Sequence, residues 1–408
     1  MKKLVLYGAF DRYNYGDNLM PILFELFIKK YYSEFLDQYK IEYASISTSN
    51  LEHYGCYKSI DIKTTIKSLP EGSAILAIGG EVLCASTSTL FLHMQKNAVE
   101  HYIFKRIRRY LSPLFNCYAR LVYNAGWEFP YIPDKSKLPA NIKVLYNTVG
   151  GGVKHLKPNE FKEVKQRLES CDYISVRDER TLIELRELKL NDKLALAPDS
   201  AYLMSDLIDD DFLLTKISQT LKTELPTEYI VFQAAPNKIG CEFERLCSEI
   251  RMMAQEQQRK VVLLPIGYAS GHDDYILLAK INKKLPEQTI LLNELNIWEI
   301  MYVIKNASVF LGTSLHGVIT AMTFNVPHFG INKKIAKLDS CLKKWSVFPY
   351  NECYSADEMS QLINQISEES IQKLTANTLI NIELVIVNNT NILKEISPDF
   401  AEKIENNA

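Results

Sequence analysis

The sequence predicts an α/β fold of two Rossmann-like domains facing across a cleft, with a helical C-terminal tail. Three observations carry this reading. Short apolar runs rich in β-formers alternate with stretches of helical period from residue 4 to about residue 330. Several of those runs end in glycine turns, at Gly79-Gly80, Gly150-Gly151-Gly152 and Gly312-Thr313. At 408 residues, the chain is also too long for one typical core.

Taken in order, residues 4–7 form the first expected strand, and the loop 8–18 leads into a helix over 19–35. Strands follow at 41–46, 74–78, 144–149, 173–176 and 194–197, with helices at 159–168 and 179–188. These belong to an N-terminal domain, residues 1–205, interrupted by an insertion at about 84–141 that does not fit the alternation. The stretch 205–227, acidic at Asp209-Asp210-Asp211 and carrying Pro226, reads as the linker. A second alternating domain, residues 206–350, has strands at 229–233, 261–265, 290–292, 308–311 and 326–330. Its helices are expected at 241–257, 274–284, 297–305 and 315–324. Residues 351–408 are expected to be helical and to pack back across the domains, with Asn406-Asn407-Ala408 frayed. This is the GT-B type of architecture, whose cleft would be lined by glycine turns of both halves.

The composition, 47% hydrophobic and 24% charged, is that of an ordinary globular protein. Forty-seven basic against 49 acidic residues leave a net charge of −2, which gives no general reason to expect nucleic acid as a partner. The eight cysteines form no C-x-x-C pair and no zinc spacing, so they read as reduced thiols and no metal site is expected. The first apolar run is too short for a signal peptide, and no later run approaches about 18 apolar residues. A cytoplasmic location is expected.

The insertion carries a basic amphipathic segment, residues 102–111, followed by Trp127-Glu128-Phe129-Pro130-Tyr131. It allows a helix resting on anionic lipid at the cytoplasmic face of the inner membrane. It also allows a lid over an anionic substrate, or a merely solvated insert, and these two are preferred.

The stretch Gly312-Thr313-Ser314-Leu315-His316-Gly317 is the focus of the functional reading. A strand, a tight turn and a helix in that order aim backbone N–H groups out of the carboxyl edge of a sheet, where anions are held. The N–H groups of Thr313, Ser314 and Leu315 are therefore candidates for an anion cradle. His316 lies in the first helical turn, where the dipole disfavours imidazolium, so it is expected to lean neutral and able to accept a proton. Local capping or packing is the alternative for it.

Arg177 follows a strand in Ser175-Val176-Arg177-Asp178-Glu179 and could grip a carboxylate or phosphate with paired hydrogen bonds. The alternative is a salt bridge with Asp178 or Glu179. Asp199, in Ala197-Pro198-Asp199-Ser200-Ala201, could orient a histidine or a sugar hydroxyl, or cap a helix. Asn14-Tyr15-Gly16-Asp17-Asn18 offers Asp17 and Asn18 as caps or ligands and Gly16 as a permissive backbone. His272-Asp273-Asp274 caps the next helix rather than holding a metal. Neither a P-loop nor a G-x-G-x-x-G fingerprint is present, which argues against an ATPase or a dinucleotide enzyme.

These motifs, in this order and over roughly residues 5–330, resemble those of the polysaccharide pyruvyl transferase family. The matching elements are Asn14-Tyr15-Gly16-Asp17-Asn18, Gly79-Gly80, Ser175-Val176-Arg177-Asp178-Glu179, Pro198-Asp199-Ser200-Ala201 and Gly312-Thr313-Ser314-Leu315-His316-Gly317. The resemblance implies pyruvyl transfer from phosphoenolpyruvate onto two hydroxyls of a sugar, free or lipid-linked, to give a cyclic ketal without a further cofactor. It implies His316 as the catalytic histidine, Asp199 as a supporting acid and Arg177 as an anion-binding arginine. Asp17, Asn18, Gly80, Thr313, Ser314 and Leu315 complete the expected substrate site. Many members carry Arg where this chain has Ser314, and Lys333-Lys334 is the expected replacement for that charge. A glycosyltransferase using a nucleotide sugar, or a non-catalytic glycan-binding relative, are the rival readings.

Overall fold

The computed structural model describes residues 1–93, 95, 98–123, 125, 127–268, 273–398 and 400. Two wholly parallel sheets form its frame. The first has the order β3-β2-β1-β4-β5-β6-β7. Its strands are β1 (Lys2–Tyr7), β2 (Tyr39–Ser45), β3 (Ile60–Asp61), β4 (Ala74–Ile78), β5 (Lys143–Val149), β6 (Tyr173–Val176) and β7 (Leu194–Leu196). The second has the order β10-β9-β8-β11-β12-β13. It comprises β8 (Tyr229–Gln233), β9 (Lys260–Leu263), β10 (Thr289–Leu291), β11 (Val309–Gly312), β12 (His328–Ile331) and β13 (Cys353–Tyr354).

Helices cover both faces of each sheet, so the central strands read as unbroken apolar runs and are buried throughout, as in Ala74–Ile78 and Tyr229–Gln233. In each sheet the winding reverses once, between β1 and β4 in the first and between β8 and β11 in the second. Such a switch point splays the loops at the carboxyl ends apart and leaves a crevice there. The two crevices face each other. The loop after β1 touches the second domain through an antiparallel bridge between Asn14 and Gly267 and through the Tyr13 hydroxyl, which donates to the Leu295 carbonyl at 2.7 Å.

The C-terminal helix Glu368–Ile396 bonds to both halves. Asn388 donates to Asn147 of β5 at 3.0 Å, and Thr378 donates to the Met322 carbonyl at 3.0 Å. The expected fraying at residues 406–408 lies outside the described residues. Among the described residues no helix is long and apolar enough to cross a membrane.

Local details add to these expectations. The stretch 205–227 carries short helices started by its acids and serines: Asp209 caps Asp210–Lys216 and Ser218 caps Gln219–Glu224. The first long helix is Tyr15–Tyr31, four residues earlier than expected, because Asn14 is its cap rather than Asp17 or Asn18. A further helix, Ala336–Trp345, follows β12, and Leu338, Cys341, Leu342 and Trp345 recur in it at helical spacing and are all buried.

Candidate active site

The carboxyl ends of β1, β4, β8 and β11 enclose a cavity of about 410 Å³ between the domains. From the first domain it is lined by the β1 loop and by Gly79 and Gly80, both at positive φ (59° and 70°). Only glycine takes two successive left-handed positions cheaply, and the turn lets the Gly80 carbonyl accept from Gly150 N–H at 2.8 Å. From the second domain it is lined by Gln233, Lys238, the turn Thr313–Ser314 and the start of the helix Leu315–Thr323.

A three-residue constellation stands at one wall, with Arg177 and His316 lining the cavity and Asp199 buried against them. Arg177, at the end of β6, donates from Nη1 to Asp199 Oδ2 at 2.7 Å. The same oxygen lies 3.6 Å from His316 Nε2, beyond hydrogen-bond length but well within ion-pair reach. The other Asp199 oxygen accepts from the Ala201 N–H at 3.0 Å, so the acid is both a cap and a partner for the histidine. Arg177 and Asp199 are buried, and the His316 side chain is 13% exposed. Burial alone would raise the Asp199 carboxyl, but His316 and Arg177 together hold it well below the usual carboxylate range. Burial likewise works against the Arg177 charge, and Asp199, with Glu81 and Asp178, outweighs it and raises its pKa. Asp199 is thus a fixed anion bonded to an arginine of its own domain and facing a histidine of the other.

The alternative pairing of Arg177 with Asp178 or Glu179 is not what forms. Asp178 caps its helix by accepting from the Thr181 N–H at 2.8 Å, and Glu179 pairs with Lys344 at 2.8 Å. Trp345 fixes the arginine backbone instead, donating from Nε1 to the Arg177 carbonyl at 2.8 Å.

Other expected residues divide. Asp17, Gly80, Thr313, Ser314 and Leu315 line the cavity with Arg177 and His316. Asn18 does not: it is buried and donates to the Arg12 and Asn14 carbonyls at 2.8 and 3.0 Å, which ties down the β1 loop. Lys333 and Lys334 also lie outside the cavity. Asn332 at φ 77° turns the chain away after β12, leaving both lysines exposed and Lys333 3.6 Å from Glu352.

The expected anion cradle at the Thr313–Ser314 turn is largely occupied. Gln233 Oε1 accepts from the Thr313 and Ser314 N–H groups at 3.0 and 2.8 Å, and Ser314 Oγ accepts from Gly317 N–H at 3.3 Å. Gln233 in turn donates to Asp274 at 2.8 Å. In the triplet 272–274, Asp273 caps its helix as expected and His272 lies outside the described residues. Asp274 is not the cap: it accepts from the Ile266 and Gly267 N–H groups at 3.0 Å and reaches the cavity.

Positive charge comes from residues the sequence reading passed over: Arg12, Lys238 and Lys337. Arg12 donates to the Tyr131 hydroxyl at 3.0 Å and lies 3.3 Å from Asp11. Lys337, in the first turn of Ala336–Trp345, reaches across the cleft to Glu81 at 2.9 Å. Burial lowers the pKa of Lys238. The available signals were position on a strand-end loop for Arg12 and on a first helical turn for Lys337.

Solved structures with this architecture include a putative UDP-N-acetylglucosamine 2-epimerase from Listeria monocytogenes, 11% identical with a TM-score of 0.58 over 98% of this chain and 97% of that one. A UDP-GlcNAc 2-epimerase from Neisseria meningitidis bound to UDP-GlcNAc is 12% identical, with a TM-score of 0.53 over 97% of this chain and 99% of that one. At such identity the likeness shows the shared GT-B type fold. No curated protein matches the sequence. The sequence profile of the polysaccharide pyruvyl transferase family, by contrast, matches residues 14–333, which span the β1 loop, Arg177, Asp199 and His316. The chain belongs to the polysaccharide pyruvyl transferase family.

Proposed function

We propose that this transferase moves the pyruvyl group of phosphoenolpyruvate onto two hydroxyls of a sugar in a cell-surface polysaccharide or its lipid-linked precursor. The observation that carries the proposal is Asp199 Oδ2, bonded to Arg177 and 3.6 Å from His316, these two residues lining a cavity that Arg12, Lys238 and Lys337 also line.

Phosphoenolpyruvate brings a carboxylate and a phosphate, and Arg177, Arg12, Lys238 and Lys337 supply the charges to hold them. The reaction needs an acid at C3 of the enol. His316, whose Nε2 faces the Asp199 carboxylate at 3.6 Å, is the proton donor. Protonation of C3 makes C2 electrophilic. A sugar hydroxyl adds to C2 and its proton returns to the imidazole. The bond from C2 to the phosphate oxygen then breaks with its electron pair leaving on phosphate. The second hydroxyl closes the ketal, its proton leaving with the phosphate. Arg177 and the lysines stabilise the charge that builds on the leaving group.

The test is phosphate release from phosphoenolpyruvate with free and lipid-linked glycans, read together with acceptor mass. A gain of one pyruvate less one water supports the proposal. Consumption of a nucleotide sugar with phosphoenolpyruvate untouched would overturn it in favour of glycosyl transfer.

A further inference from the structure

Among the described residues, the insertion between β4 and β5 carries three α-helices, Thr87–His93, Ala98–Tyr110 and Ser112–Val122. The last two form a hairpin that packs inward through Phe104, Phe115 and Ala119 onto Phe91. Its outward face is the reverse of what a solvated hairpin needs. On the first helix Tyr102, Ile103 and Tyr110 point outward, on the second Leu114 and Leu121, with Leu114 69% and Leu121 75% exposed.

Cations share this face. Arg106 lies within the apolar stripe of the first helix, its guanidinium 5.6 Å from the Tyr102 ring, and Lys105 and Arg109 flank that stripe. Residues 98–122 hold five Lys and Arg against one acid, in a chain whose net charge is −2. We propose that this face docks on an anionic phospholipid surface, with Tyr110 and Leu114 at the bend entering the headgroup region.

Charge and apolarity together select the occupant. A second copy of the chain, packed about a two-fold axis, would set this basic face against itself, and like charges there oppose association. Nucleic acid would use the arginines but leave the leucines exposed. An anionic bilayer satisfies both, taking tyrosine and leucine side chains at the level where aromatic anchors sit and pairing the cations with headgroups. Helices of 13 and 11 residues are too short to span, so the hairpin lies on the surface.

The hairpin is joined to the cavity. Arg108 donates to Thr89 Oγ1 at 2.8 Å, and Thr89 and Leu90 line the cavity wall. Docking therefore brings the cavity to a membrane surface, where a lipid-held acceptor would be presented. The docking itself stands apart from the identity of donor and acceptor.

The test is co-flotation of the full chain with vesicles of phosphatidylcholine and phosphatidylglycerol, and with phosphatidylcholine alone. The expected result is binding to the anionic vesicles that weakens with salt, and little to the neutral ones. The pair Leu114→Ser with Leu121→Ser, and separately Arg106→Glu with Arg109→Glu, should each weaken it about tenfold or more, with thermal melting unchanged. No flotation, or equal binding to both vesicles, would overturn the proposal. So would concentration-dependent self-association abolished by the same substitutions, which would make the face a contact between copies.

Discussion

Gly16 and His316 meet across the cleft with no room between them: a Cβ on Gly16 would lie 1.9 Å from His316 Nδ1. The two residues belong to different domains, one in the first turn of Tyr15–Tyr31 and the other in the first turn of Leu315–Thr323. Gly16 is needed there for its missing side chain and not, as the sequence reading had it, for backbone freedom. Gly16→Ala should push the imidazole away from Asp199 and lower turnover about a hundredfold, the scale set by misplacing a catalytic group by an ångström. Thermal melting should change little. A variant with wild-type turnover would show that Gly16 does not constrain His316.

His316→Ala should abolish turnover while circular dichroism and melting stay close to wild type. Asp199→Asn keeps the shape but removes the anion facing His316, and should cost about 10² to 10⁴ in turnover. Near-normal ketal formation by the histidine variant would sink the assignment.

The Arg177–Asp199 pair should also be visible in stability. Replacing Arg177 with Met leaves a fully buried carboxylate uncompensated, at a cost of about 3–5 kcal/mol. Urea denaturation midpoints should show the double variant, Arg177→Met with Asp199→Asn, less destabilised than the sum of the singles. Simple additivity would mean that the pair is not energetically coupled.

Among the lysines, position in the cleft rather than in the sequence should decide the effect. Lys337→Ala is expected to raise the KM for an anionic donor several-fold, whereas Lys333→Ala and Lys334→Ala leave it unchanged. Steady-state kinetics with varied donor separates them, and an equal effect at Lys333 would contradict the observed placement.

A pH effect on stability is expected from His328, which is wholly buried, its ring nitrogens facing the Val326 carbonyl and the Ser346 hydroxyl. Burial pushes its pKa down to about 4. The unfolded chain binds that proton near pH 6.5 and the folded chain does not, so stability is retained above pH 6.5 and lost as the pH falls toward 4. The loss should approach about 3 kcal/mol. His328→Asn should flatten the melting temperature across that interval; an unchanged slope would assign the acid sensitivity to other groups.

Much of this molecule is legible in its sequence because buried parallel strands leave a strong local mark. The strands at 74–78, 173–176 and 229–233 fall where the apolar runs predict them, and the helices at 274–284 and 297–305 run between the expected residues. The strand expected at 326–330 begins at His328 instead, after Asn325 at positive φ and Pro327. The two-residue strands β3 and β13 left too short a pattern to read.

The sequence by itself determined the order of the central strands and the helices between them, the glycine turn after β4, and the presence of Arg177, Asp199 and His316 at element ends, since periodicity and capping act over a few residues. Which of these residues meet was decided only by the tertiary structure. Asp199 sits against His316, Gly16 makes room for that histidine, and Gln233 occupies the N–H groups expected to hold an anion. Lys337 enters the cleft and Lys333 does not. Each contact joins residues dozens to hundreds of positions apart, brought together by two sheets whose switch points face one another, and no local pattern encodes that approach.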